Sequence, residues 1–234
     1  MAIEMMSISH CYCSDYMTKP TQFGDEPKKF GKPSYIIPVL ADYTNIIPED
    51  NKFSDTRDYF LYCGNIGFQD IIDFIIESAG NNYTIYLVLY GDSNKIEALK
   101  CKVQDKCNIK ILCDLSYDAL FRLYSNALAL IIPLNPNVLQ DQIRFSQKIA
   151  EYTSSKRPIV TVNTGEIPYY FKNNENAFII EEMKANLLSQ KFNYIMNHKE
   201  EADRIGFEGY KTGLNYFSTH KVMDDFCVFL DQLK

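Results

Sequence analysis

No stretch of this 234-residue chain approaches the ~20 continuous apolar residues that a membrane-spanning helix needs, and the start, MAIEMMSISH, carries neither a cationic region nor a long apolar run. A secretory signal and stable membrane insertion are therefore not expected. Excess positive charge is also missing. The net charge is −6, and the 24 lysines and arginines are interspersed with 30 acids along the helical stretches, a solvated-face pattern rather than the clustered basic surface that nucleic acid requires. Metal ligands are sparse as well. His10, Cys11 and Cys13 form the one cluster with a metal flavour, without the second pair that a tetrahedral zinc site needs; local coincidence is the favoured reading, and neither a metal nor a cofactor is expected. The seven cysteines are odd in number and mostly lie inside apolar runs, so Cys63, Cys113 and Cys227 read as small core residues of a reduced, cytoplasmic chain. Both nucleotide fingerprints, G-x-G-x-x-G and the phosphate loop ending in Gly-Lys-Ser/Thr, are absent.

What is present is a core-forming composition, 46% hydrophobic and 14% aromatic, which excludes wholesale disorder. From Tyr59 onward short apolar strands alternate with amphipathic helices. Tyr59–Cys63 is a strand closed by Gly64-Asn65-Ile66-Gly67, and the helix after it carries Ile71, Ile72, Phe74, Ile75 and Ile76 as a broad apolar face. Ile85–Tyr90 is apolar on both faces, as a central parallel strand is. Gly91-Asp92-Ser93 then turns into a charged helix over Asn94–Val103. A third strand, Ile109–Cys113, precedes a helix that Ser116 caps and Asp118 supports at its positive end. Leu128–Ile132 is a fourth strand, stopped by Pro133, and Ile159–Val162 a fifth. A short helix over Ile167–Phe171, a strand Ala177–Ile180 and a mostly helical remainder from about Lys184 complete the series. This alternation specifies an α/β fold, a Rossmann-like doubly wound parallel sheet with helices on both faces. The proposed boundaries are 1–57 as remnant and linker, 58–215 as the domain and 216–234 as a carboxyl-terminal helix, with Pro48–Asp58 as a surface linker.

The segment Arg144–Glu166, RFSQKIAEYTSSKRPIVTVNTGE, joins a helix start, a glutamate and a strand in one unit. Phe145-Ser146 opens the helix, Glu151 falls in its second turn, and Ser154-Ser155-Lys156 breaks it before the strand. The turn Asn163-Thr164-Gly165 lies beyond a strand's carboxyl end, where α/β proteins bind ligands. A carboxylate aimed at such a crevice suits the hydroxyls of a ribose; on its own, a solvated glutamate is the simpler reading. Gly64 and Gly67 allow backbone N–H groups to approach a phosphate, although a tight turn is all that glycine usually means there. Asp92 is explained equally by ligand contact or by turn chemistry.

GNIG after the first strand, YGD after the second, and KIAEYTSSKRPIV followed by NTGE resemble the carboxyl-terminal, nucleotide-sugar-binding half of GT-B-fold retaining glycosyltransferases, the glycosyl transferases group 1 type. Asn108–Asp114 with Asp118–Tyr124 is similar to the elements flanking the family's base pocket, Ala127–Leu134 to its strand leading into a proline, Asn215–Ser218 to its late Phe-Ser signature, and Tyr35–Asn45 to its interdomain strand. The resemblance places Glu151 at the second acid of the E-x7-E motif, which binds the donor ribose. It places the amides around Ser146, Gln147 and Lys148 at the donor phosphates, and Gly64 and Gly67 at the pyrophosphate turn. The first acid of the motif falls at Ile143; Asp141, Gln142 and Arg144 are the alternatives that a small shift of register brings to its place. The basic pair usual near the glycine turn is replaced by Asn65, Phe68 and Gln69; members with a GNIG-and-glutamine turn make Asn65 and Gln69 candidate ligands.

The resemblance implies a nucleotide-diphosphate sugar as ligand and transfer of a hexosyl unit to a glycan or lipid-linked acceptor in polysaccharide biosynthesis. It also implies an amino-terminal acceptor domain for which 234 residues leave no room, so the chain is expected to be a fragment, a truncated product or one subunit of a split transferase, inactive unaided and meeting a membrane only peripherally through the missing domain. The alternative is a non-catalytic, degenerate transferase module that docks to a partner chain. An oxidoreductase or flavodoxin-like protein is the third reading, disfavoured by the missing fingerprint.

Overall fold

The computed structural model describes residues 35, 37–44, 59–143 and 145–233. The His10–Cys13 cluster, the 48–58 linker and Arg144 lie outside the described residues. Six strands form one sheet in the order β3-β2-β1-β4-β5-β6: β1 (Tyr59–Asn65), β2 (Thr84–Tyr90), β3 (Ile109–Leu112), β4 (Ala129–Ile131), β5 (Ile159–Val162) and β6 (Phe178–Ile180). Every pairing is parallel. The chain steps outward from β1 through β2 to β3, then returns to the other side of β1 for β4, β5 and β6, so the topological switch lies between β1 and β4.

Helices cover both faces because the strands are apolar on both. On one face, α1 (Gln69–Glu77), α2 (Ser93–Val103) and α7 (Ala185–Asn197) bury Ile71, Ile72, Ile75, Leu99, Phe192 and Ile195 against Phe60, Ile85 and Leu87. On the other, α3 (Tyr117–Asn126), α5 (Gln147–Ser154) and α6 (Ile167–Tyr170) bury Tyr124, Ile149, Tyr152 and Ile167 against Leu61, Leu130 and Ile159. The doubly wound α/β architecture is therefore the one that the alternation specifies. Among the described residues no helix is long and apolar enough to cross a membrane.

Local chemistry sets the element ends. Asp92 caps α2 by accepting from Asn94 N at 2.9 Å and Lys95 N at 3.3 Å, and Ser116 caps α3 by accepting from Ala119 N at 3.3 Å. Turn chemistry thus accounts for Asp92. Helix α5 ends where expected, with Lys156 following in the left-handed region at φ 62°.

Three features depart from the sequence reading. β1 continues through Gly64 and Asn65, so the glycine turn proper is Ile66–Phe68. A separate short helix, α4 (Leu139–Ile143), precedes α5. It has no amphipathic repeat to betray it; instead Asn135 Oδ1 accepts from Asn137 N at 3.0 Å, and the Asp141 carboxylate accepts from Asn135 N at 2.7 Å. Third, Cys227 is exposed and Cys113 only half-buried. Cys227 lies on α9 (Thr219–Asp231), which follows α8 (Lys199–Tyr216) and of whose residues only Val222 is buried. Helix α9 packs on the segment around Tyr35 rather than the sheet: the Tyr35 ring centroid lies 5.4 Å from those of both Phe226 and Phe229. The same segment is pinned where Ala41 N donates to Phe217 O at 2.9 Å.

Candidate functional site

The carboxyl ends of β1 and β4 part early. Their ladder pairs Phe60 with Ala129 and Leu61 with Leu130. Two residues further, the Cys63 amide donates instead to the Tyr152 hydroxyl of α5 at 2.9 Å. In open α/β sheets the switch point is where a ligand crevice lies; here the end of β1 is its floor and α5 its wall.

The turn after β1 is fixed from within and from β2. Asn65 Oδ1 accepts from Gly67 N at 2.8 Å, and Ile66 N donates to Tyr90 O at 2.9 Å. Gly91 sits at φ 114°, a conformation that favours glycine, and a Cβ there would stand 3.1 Å from the Asn65 amide group, a tight approach. Gly64 lies beneath, buried in the strand, with the Tyr62 hydroxyl where its Cβ would be. Gly67 is exposed at the rim. Gln69 is also exposed, its Nε2 donating to Asp73 Oδ1 at 3.2 Å.

Across from this turn, α5 points its start at the crevice. Ser146 is the N-cap residue, with no side-chain cap bond to the helix. The first-turn amides of any helix lack intrahelical acceptors and carry the positive end of its dipole, a ready anion site. Gln147 turns its side chain away, donating from Nε2 to Leu40 O and so tying the segment around Leu40 to the helix start. Lys148 reaches over the crevice to Tyr90: its Nζ donates to the hydroxyl at 3.2 Å and lies 5.2 Å from the ring centroid.

Glu151 sits one turn beyond Lys148, half-buried. Burial raises its carboxyl above the usual range and the Lys148 ammonium opposes that shift. The Tyr117 hydroxyl is raised too, by burial first and then by the nearby Glu151 carboxylate. Tyr117 is 59% exposed at the start of α3 and Tyr90 49% exposed at the end of β2. Neither was among the sequence candidates. The available signal was an aromatic residue next to a strand-to-helix turn, where burial does not require one.

The structure thus brings Asn65, Gly67, Lys148 and Glu151 around one crevice, with Ser146 and Gln147 at the helix start. The acid alternatives are differently engaged. Asp141 is buried and accepts from the Asn135 amide, while Gln142 Nε2 donates to Pro136 O at 2.6 Å. Ile143 ends α4, half-buried. A further acid, Glu166, stands in the turn after β5, and burial pushes its carboxyl up to about 7. Among the described residues no group of three or more His, Cys, Asp or Glu side chains is placed to hold a metal ion.

The family model for "Glycosyl transferases group 1" matches residues 44–212. No curated protein matches the sequence. Solved structures share its fold. A glycosyltransferase from Rickettsia africae is 18% identical at a TM-score of 0.60, the match covering 94% of this chain and 55% of that one. Sucrose-phosphate synthase from Thermosynechococcus elongatus is 14% identical at a TM-score of 0.72, covering 92% and 57%. Anabaena HepE in complex with UDP-glucose is 14% identical at a TM-score of 0.58, covering 93% and 54%. The chain therefore spans little more than half the length of these three proteins. With the family model matched over most of the chain, on a doubly wound sheet whose switch-point crevice holds a glutamate one turn into a helix, this chain belongs to the glycosyl transferases group 1 family.

Proposed function

We propose that this chain is the nucleotide-sugar-binding half of a retaining glycosyltransferase that moves a hexosyl unit from a nucleoside diphosphate to a glycan or lipid-linked acceptor in polysaccharide biosynthesis. The observation that carries the reading is the half-buried Glu151 carboxylate one turn behind the start of α5, at the switch point of the sheet. A carboxylate accepts two ribose hydroxyls well, and the helix start beside it suits the diphosphate. In this reading Asn65, Gly67 and Gln69 line the opposite wall, and Gly64 gives that wall its close backbone packing. The amides of Ser146, Gln147 and Lys148 meet the phosphates and stabilise charge on the leaving group. The UDP-glucose held by the Anabaena structure fits the same ligand class. The acceptor-binding and proton-handling groups then come from a second domain, on the same polypeptide or a partner, which also makes any membrane contact.

Ile143, where the resemblance places the first acid, favours a second reading: a non-catalytic module that docks to a partner. Calorimetric titration with UDP, GDP and ADP and their sugars separates the two. Micromolar to sub-millimolar binding of at least one supports the donor site, and silence from all at millimolar concentration supports the module.

A further inference from the structure

We propose that Tyr90 is a positioning residue for Lys148, holding its ammonium over the crevice where the donor's diphosphate sits. The proposal rests on the donor-site reading above. Charge makes the position matter. The loops that leave β1, β2, β3 and β5, residues 66–68, 91–92, 113–116 and 163–166, contain no lysine or arginine. Lys148, in the first turn of α5, is a cation that reaches across to the end of β2, beside those loops.

Left alone, that side chain would be a poor phosphate ligand. A long, flexible lysine stem loses much rotamer freedom when its end is fixed. Lys148 also has a competing partner on its own helix, since Glu151 is three residues on and residues at that spacing are neighbours on a helix surface. An ammonium folded onto Glu151 would neutralise both groups together. Tyr90 prevents that collapse through two contacts, the 3.2 Å hydrogen bond to its hydroxyl and the ring face 5.2 Å from Nζ. The anchor itself is stiff. Tyr90 ends β2, its carbonyl accepts from Ile66 N at 2.9 Å, and the residue after it is the constrained Gly91. An ammonium has three donors, so one given to Tyr90 leaves two for phosphate oxygens. Tyr90 thereby keeps the cation for the phosphates apart from the carboxylate for the hydroxyls.

A double-mutant cycle tests this. UDP, or whichever diphosphate the unaltered chain binds, is titrated calorimetrically against Y90L, Y90F, K148M and Y90L/K148M, with thermal melts confirming that each variant folds. Tyr90 is half-exposed, so its removal leaves the core intact. Loss of the anchoring hydrogen bond and ring contact is expected to weaken binding about five- to tenfold in Y90L and about two- to threefold in Y90F, which keeps the ring. On the K148M background, Y90L should change nothing further. Y90L that leaves the affinity unchanged, or that weakens K148M by the same factor as it weakens the unaltered chain, overturns the proposal while leaving the donor site standing. An unaltered chain that binds no diphosphate overturns the donor-site reading itself, and Tyr90's role with it.

Discussion

The Tyr152 hydroxyl accepts a hydrogen bond from the Cys63 amide at 2.9 Å, so a side chain of α5 takes over where the β1–β4 ladder has already parted. This contact sets the distance between the crevice floor and the helix that carries Lys148 and Glu151. The Tyr152 side chain is fully buried, and its ring meets Tyr124 edge-on at 4.9 Å. Tyr152→Phe keeps the ring packing and strands a buried amide, a loss of about 1–3 kcal/mol. A urea-unfolding midpoint lowered with unchanged slope checks it; a midpoint equal to that of the unaltered chain contradicts the assigned role.

Helix α8 crosses the carboxyl end of α5 through a glycine face. A Cβ on Gly206 would stand 2.6 Å from Pro158 N and 2.7 Å from Lys156 O, backbone atoms that cannot yield. Gly206→Ala is therefore expected to force the helices apart and destabilise the fold by about 1–3 kcal/mol, visible as a melting temperature several degrees lower. An unchanged melting temperature would show that the two helices do not pack so closely.

Glu166 links stability to pH. Burial raises its carboxyl from the ordinary 4.5 to about 7. The folded chain therefore holds this proton more tightly than the unfolded chain, and between those two values the native state binds more protons. Stability from this residue is greatest below about pH 4.5 and falls as pH rises to about 7. Glu166→Gln removes that slope and makes the protein more stable than the unaltered chain at pH 8. Denaturant melts at pH 5, 6, 7 and 8 read it directly; parallel pH profiles for the two proteins contradict it.

Much of this was legible in the sequence, and the limits have physical causes. The strands and the helix from Gln147 to Ser154 declare themselves because apolar periodicity is a local signal. Glu151 was readable because its helix leads directly into the apolar strand β5. Contacts between distant elements were not. Tyr90 meets Lys148 across 58 residues and Cys63 meets Tyr152 across 89, and nothing in either neighbourhood names the partner. Helix α4 has no amphipathic repeat to mark it; side-chain hydrogen bonds order the turn that leads into it. Cys227 is exposed because its apolar run does not meet the sheet: Phe226 and Phe229 pack on Tyr35, while Val228 and Leu230 face solvent.

If Glu151 holds a donor ribose, deleting the ribose hydroxyls takes away its partners. UDP and its 2′,3′-dideoxy analogue, or the corresponding pair for whichever diphosphate binds, are titrated into the unaltered chain and Glu151→Ala. Removing charge-assisted hydrogen bonds of about 1.5–3 kcal/mol should weaken the dideoxy analogue roughly ten- to hundredfold on the unaltered chain. On Glu151→Ala the two ligands should bind alike, at the weaker level. A preference for the intact ribose that survives Glu151→Ala undiminished would contradict the account.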